Sequence, residues 1–234
     1  MNGQNENNTV KTMKEGPGLG TVLVTGGARR LGRAIAEALR AVGWRVLVSS
    51  HRAEAGADLV ADLSEPAGAV RLYAAALAAA PDLCAIVNNA ALFRGDAATL
   101  EAVNLTAPRK LMTLLAGREG RKCAVVNILD ARMLGPAEPA DSGYAKTKRA
   151  LLADTRKFAA LFAQTLRVNA VAPGPVLPPE GVHESAGEML LDRRPTPADV
   201  AAAVAYLLGA EAVTGVVLPV DAGQHLLCGG NVVV

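Results

Sequence analysis

The chain has 234 residues, 51% of them hydrophobic and 20% charged, with 24 basic against 22 acidic side chains. That length suits one domain with a sizeable core. The even charge balance and an aromatic share of 3% argue against a nucleic-acid binder, which would carry a basic excess and stacking platforms.

The first 20 residues are polar and read as a disordered lead-in, leaving 21–234 as a single domain. Order begins with TVLVT (21–25), a β-branched apolar run closed by glycines and therefore a buried strand. Apolar residues at Leu31, Ile35, Ala38 and Leu39 have helical spacing, and Gly43 follows as a stop. WRVLVSS (44–50) is a second strand, so the chain opens with a βαβ unit, whose crossover is right-handed. A third strand is expected within 56–63 and a helix over 65–80. LCAIVNNA (83–90) is a fourth strand. The segment 100–117 reads as a helix interrupted by Pro108, and KCAVVNIL (122–129) as a fifth strand. A long helix is expected over 144–166, then a strand RVNAVAPG (167–174), a helix over 197–208 entered at Thr-Pro, and a last strand in GVVLPVDAG (215–223). The ending NVVV packs on a neighbouring subunit or completes the sheet.

Such alternation predicts an α/β fold of Rossmann type, a doubly wound parallel sheet with helices on both faces. Ligands of these sheets bind beyond the carboxyl ends of the strands. The polar endings TGG, SSHR, NNA, ILD and APGP all fall there. Cys84, Cys123 and Cys228 form neither a disulfide framework nor a metal-ligand spacing, and His225 has no partner spacing for a metal. A reducing, cytoplasmic setting without a metal is expected. No apolar run reaches the roughly 18–20 residues that span a bilayer, so no membrane partner is expected.

The first strand runs into TGGARRLG (25–32). A glycine turn entering a helix lets backbone N–H groups approach phosphates, and the helix dipole favours anions. Dinucleotide contacts are expected along it, at Gly26, Ala28, Arg29, Arg30, Leu31 and Gly32. An acid after the second strand would bind the ribose hydroxyl of NAD. Here stand Ser50, His51 and Arg52 instead. Guanidinium groups suit a 2′-phosphate, which favours NADPH/NADP+ over NADH, the alternative being solvated surface arginines. Asp62, followed by Leu63, is either an adenine contact or an ordinary turn aspartate.

Tyr144 and Lys148 lie one helical turn apart. An ammonium beside a phenol lowers its pKa and readies it for proton transfer. TGGARRLG, NNA (88–90), Asn104, Tyr144-x-x-x-Lys148 and Pro173-Gly174 together resemble the short-chain dehydrogenases/reductases over about 21–226. The resemblance implies about seven parallel strands, Tyr144 as acid/base, Lys148 on the nicotinamide ribose and Asn104 in a proton relay. It further implies that Asn89 and Ala90 lie against the cofactor, and that Pro173, Gly174 and Val176 border the nicotinamide.

Two departures are informative. Arg30 replaces the middle glycine of the family's turn, and Asp130 replaces the family's catalytic serine. Both resemble the pteridine reductase and dihydromonapterin reductase branch, which reduces C=N bonds of dihydropterins or dihydrofolate with NADPH. An ionised aspartate cannot donate to a ketone oxygen and would repel an alkoxide. Reducing a pterin instead requires a proton at nitrogen, which Tyr144 with Asp130 can supply. Asp130 as a mere loop cap beside a ketone site is the competing reading.

Phe93 is either a stacking wall for the substrate or a core or interface residue, and Arg29 a second substrate contact. Residues 175–195, which include His183, form a lid or only a connector. The short stretch between Ala90 and Asn104 implies a truncated helix there. Family members dimerise through that helix and the one carrying the tyrosine, so a homo-oligomer (dimer or tetramer) is expected. A ketone or 3-oxoacyl reductase, and a non-catalytic NADPH-binding regulator, are the alternatives.

Overall fold

The structure, a computed structural model, describes residues 19–53, 56–135, 142–177, 187–228 and 231–232. The lead-in up to residue 18 and the middle of the expected lid (178–186), with His183, lie outside the described residues.

Strand β1 (Thr21–Thr25) is buried along its whole length. Its side chains alternate between two cores, Leu23 facing one and Val22 and Val24 the other. Helix α1 (Arg30–Ala41) buries Gly32, Ile35, Ala36 and Leu39 at helical spacing, and Gly43 ends it with a φ of +97°. Strand β2 (Arg45–Ser50) follows, then β3 (Leu59–Val60), α2 (Gly68–Ala79) and β4 (Leu83–Asn88). Next come α3 (Ala97–Glu101), a π turn (Ala102–Thr106), α4 (Ala107–Ala116) and β5 (Cys123–Ile128). A 3-10 turn (Ala131–Leu134), α5 (Gly143–Leu161), β6 (Leu166–Pro173), α6 (Pro197–Gly209) and β7 (Val217–Val220) complete the main body.

The sheet has seven strands in the order β3-β2-β1-β4-β5-β6-β7, every pair parallel. The order reverses beside β1 and β4, and the crevice for a ligand opens there. One core lies under α2, α4 and α5, around Leu72, Ile86, Leu111 and Leu151. The other lies under α1 and α6, around Ile35, Leu39, Val204 and Leu207. Leu111 is fully buried, so Leu111→Ala is expected to cost about 2–5 kcal/mol in a denaturant melt.

Several boundaries differ from those expected. The third strand shrinks to two residues because it is an edge strand, pairing only with Ser49 and Ser50 of β2. Pro108 stands at the start of α4, directly after the π turn around Asn104, where the hydrogen-bond register of the continuous helical run changes. The helix expected over 144–166 ends at Leu161, and Leu166 opens β6, paired with Cys123. Asn89 and Ala90 lie beyond the end of β4. Near the C-terminus, β8 (Leu227–Cys228) and β9 (Asn231–Val232) pair antiparallel with each other and do not extend the main sheet. Among the described residues no helix is long and apolar enough to cross a membrane.

Candidate active site

At the crevice, the first turn is shaped by contacts that leave no room for side chains. A Cβ on Gly32 would stand 2.2 Å from the Gly26 carbonyl oxygen and 2.6 Å from Asn89 Nδ2. Asn89 Nδ2 donates to the carbonyls of Thr25 (2.9 Å) and Gly26 (3.1 Å). Thr25 Oγ1 in return accepts from the N–H groups of Asn89 and Ala90, both at 3.0 Å. The NNA segment therefore braces the turn from the neighbouring strand end. Arg30, in the place of the family's middle glycine, has a φ of +51°. That left-handed conformation explains why glycine suits the position, and an L side chain holds it at a cost of about 1–2 kcal/mol.

A cleft of about 440 Å³ opens over this turn. Gly26, Arg29, Arg30, Leu31 and Gly32 form its floor and one wall. Ser50 and His51 reach it from the end of β2, Asp62 and Leu63 from beyond β3, and Asn89 and Ala90 from beyond β4. Ala28 and Arg52 are not in the lining. Ala28 packs against the core beneath α1, and Arg52 is exposed past β2, its N–H donating to Ser50 Oγ at 3.4 Å. Asp62 is a turn aspartate and a cleft wall at once. Its Oδ1 accepts from the N–H (2.8 Å) and hydroxyl (2.6 Å) of Ser64, which hold its carboxyl below the usual range. Ser49, beside Ser50 at the end of β2, lines the cleft too, as do Leu92, Thr99 and Val103. The last three belong to no motif and were not legible in the sequence.

The groups expected from the sequence to handle the proton stand on α5 and the loop after β5. Ser142 caps α5 by accepting from Ala145 N–H at 3.2 Å. This sets Tyr144 and Lys148 on its first turns. Tyr144 donates its hydroxyl proton to Asp130 Oδ2 at 3.2 Å. Lys148 is buried, and its Nζ donates to the Ile128 carbonyl at 2.6 Å and lies 5.8 Å from the centre of the Tyr144 ring. Asp130 also caps the 3-10 turn, accepting from Arg132 N–H at 3.0 Å. Its two carboxylate oxygens take a fork from the Arg132 guanidinium, at 3.1 Å from Nε and 2.8 Å from Nη2. The Phe93 ring lies 5.0 Å from that of Tyr144, tilted by 59°.

Asn104 is buried and its side chain is fully engaged. Its Oδ1 accepts from Leu92 N–H at 2.8 Å, and its Nδ2 donates to the Leu92 carbonyl (2.9 Å) and Thr147 Oγ1 (3.2 Å). Asn104 thus fixes the loop that carries Phe93 to the helix that carries Tyr144. Pro173 closes β6, and Gly174 donates to the Val220 carbonyl at 3.0 Å, its bare Cα face against Asp221, which a Cβ would meet at 2.7 Å. Val176 turns into the core beneath α1 and α6. Arg132, Ser142 and Thr147 went unnoticed in the sequence, since each acts through another residue.

One electrostatic expectation is overturned. Tyr144 is not brought down by its lysine. Burial and the Asp130 carboxylate push the phenol well above its ordinary value, against a weaker opposing pull from Arg132. Burial also lowers Lys148 to about 8, only partly offset by Asp130. The phenol therefore rests protonated at neutral pH, the form a proton donor needs.

This architecture is that of the short-chain dehydrogenases/reductases, and the chain belongs to them. The family model described as enoyl-(acyl carrier protein) reductase matches residues 26–225. Among solved structures, the FolM alternative dihydrofolate reductase 1 of Brucella canis, complexed with NADP, is similar. It superposes with a TM-score of 0.78 and 31% identity, covering 90% of this chain and 96% of that one. The putative ketoacyl reductase 2 of the granaticin polyketide synthase of Streptomyces violaceoruber is 30% identical over 91% of this chain and 99% of its own length. The dihydromonapterin reductase of Citrobacter koseri is 28% identical over 88% of this chain and 96% of its own.

Proposed function

We propose that the protein is an NADPH-dependent reductase that delivers hydride to a C=N bond of a pterin or dihydrofolate-like substrate. The observation that carries this is the Tyr144–Asp130 hydrogen bond: a protonated phenol beside a carboxylate, where a ketone reductase would need a donor for the carbonyl oxygen. The similarity to dihydromonapterin reductase and to the NADP-complexed alternative dihydrofolate reductase supports it. Ketoacyl reductases among the relatives favour a second reading, reduction of a 3-oxoacyl or ketone substrate. The convergence of Tyr144, Asp130 and the buried Lys148 speaks against a regulator without turnover.

The residues present fit the dinucleotide. The bare Cα of Gly32 lets the turn fold tightly onto Gly26 and Asn89, the start of α1 beside it suits a pyrophosphate, and Arg29, Arg30 and His51 line the cleft where a 2′-phosphate would sit. NADPH supplies the hydride when bound. Tyr144 gives its proton to the substrate nitrogen, Asp130 holds that hydroxyl in place, and Lys148, held on the Ile128 carbonyl, would contact the ribose. Phe93 and Arg29 serve as the substrate's walls. A cytoplasmic setting suits the free Cys84 and Cys123. Homo-oligomeric assembly suits exposed Leu161 on α5 and Tyr206 on α6.

The direct test is NADPH oxidation against dihydropterins, dihydrofolate, ketones and 3-oxoacyl thioesters. Turnover of the first two classes is expected, and activity on carbonyl compounds alone would transfer the protein to the second reading. Arg29→Ala is expected to raise KM for NADPH about tenfold while leaving KM for NADH within about twofold. Equal effects on both would remove the 2′-phosphate contact.

A further inference from the structure

Away from Tyr144, Asp130 and Lys148, a second polar pair is enclosed where β7 ends. The Asp221 side chain is 2% exposed. Its Oδ1 accepts from Gly223 N–H at 3.1 Å. Its Oδ2 accepts from His225 N–H at 2.7 Å and from the imidazole Nδ1 of the same residue at 2.8 Å. A carboxylate only accepts, so the ring proton sits on Nδ1. The carboxylate thereby gathers residues 221–225 into a tight loop. Within it Ala222 has a φ of +56°, a left-handed conformation that an alanine keeps only where its surroundings impose it.

This loop touches three other segments. Gly174 rests its bare Cα face on Asp221 and donates its N–H to the Val220 carbonyl. The Ala222 carbonyl accepts from Leu190 N–H (3.0 Å) and Leu191 N–H (3.1 Å), and a Cβ on Gly223 would meet the Leu190 side chain at 3.0 Å. The 3-10 turn Gln224–Leu226 lies beside the 3-10 turn Ala131–Leu134, which Asp130 caps. The loop after β6 and the loop after β5 thus share one support.

We propose that His225 is a positioning residue: held on Asp221, it sets the spacing between the Gly174 turn and the Asp130 turn that hydride transfer requires. This rests on the reductase reading above, with Gly174 at the nicotinamide and Asp130 on the proton donor. His225 itself lines a cavity of about 480 Å³, with Arg193, Pro195 and Asp199, that shares no lining residue with the cofactor cleft. It therefore acts through the loop and not by touching cofactor or substrate. Without the ring N–H, the buried carboxylate lacks one of its three donors, and the strained backbone at Ala222 is free to relax. Hydride transfer depends steeply on the approach of the reacting atoms, and a shift of about 1 Å costs up to about a hundredfold in rate.

The test compares the full-length wild type with His225→Ala, His225→Asn and His225→Gln. NADPH and a dihydropterin are both saturating, and a single turnover is followed by NADPH absorbance. The amide nitrogen of asparagine stands where Nδ1 does, whereas that of glutamine reaches the place of Nε2. For His225→Ala the single-turnover rate constant is expected to fall about tenfold or more, with the amplitude unchanged and the dissociation constant for NADPH within about twofold. His225→Asn should return the rate constant to within about threefold of the wild type, and His225→Gln should not. A merely structural role would lower the amplitude, as the active fraction shrinks, and leave the rate constant alone. That result, an unchanged rate in His225→Ala, or equal rates for asparagine and glutamine would overturn the inference. The last comparison decides it even where the alanine variant does not fold. A wild type that reduces carbonyl compounds and no dihydropterin would overturn the pterin reading alone, and the same comparison then runs on the carbonyl acceptor. A wild type that oxidises NADPH with neither would overturn the reductase reading, and this inference with it.

Discussion

Tyr144→Phe is expected to lower kcat by at least about a hundredfold, the ordinary worth of a positioned general acid, while the dissociation constant for NADPH changes by less than about twofold. The phenol is the group nearest the carboxylate with a proton to give, and it keeps that proton because burial and Asp130 both disfavour the phenolate. Phenylalanine retains the ring against Phe93 and leaves Lys148 on the Ile128 carbonyl, so the fold and the cofactor cleft are untouched. Asp130 loses one donor and keeps the fork from Arg132, which limits the stability change. Steady-state kinetics and NADPH fluorescence titration on the same preparation separate the two effects. Turnover near that of the wild type would mean that the proton comes from elsewhere.

The expected loss also shows which part of the site a sequence can carry. Glycine turn, strand ends and the Tyr-x-x-x-Lys spacing are local, and their consequences are set by backbone geometry that nearby residues dictate. Gly32 reads as a dinucleotide contact from sequence alone, and the structure shows its bare Cα packed closely on Gly26 and Asn89. Side-chain partnerships across long loops are another matter. Nothing in the sequence indicates that Asn104 ties Leu92 to Thr147. Nor does it indicate that Asp130 is shared between Tyr144 and Arg132. The expectation that lysine lowers the tyrosine failed for the same reason. One turn of helix puts the two groups close, but the carboxylate that dominates the phenol arrives from another element, and the degree of burial depends on the packed fold. The sequence marks an interruption at Pro108; that it takes the form of a π turn just before it, around Asn104, is a change of hydrogen-bond register that no residue type announces.

Lys148 makes the second large effect a matter of both rate and stability. Its ammonium is buried, and the folded chain holds it at about 8, whereas an unfolded lysine titrates near 10.4. Below pH 8 both states carry the proton, and the folded state bears the whole desolvation cost. Between pH 8 and 10 the folded chain releases the proton while the unfolded chain retains it, so stability rises with pH. For a group this deeply buried the gain over that window is about 2 kcal/mol. Lys148→Met keeps the length of the side chain and removes the titration. Its unfolding free energy, measured without cofactor, should therefore lack this rise relative to the wild type. Comparing the two proteins cancels the opposing contribution of Cys123, whose thiol is pushed up to about 11 by burial and which both share. On the proposed function the same substitution should reduce kcat by at least about a hundredfold, since the cation assigned to the nicotinamide ribose is gone. Parallel stability curves for the two proteins would mean that the ammonium is hydrated in the folded state, and an undiminished kcat would remove Lys148 from the proton-handling group.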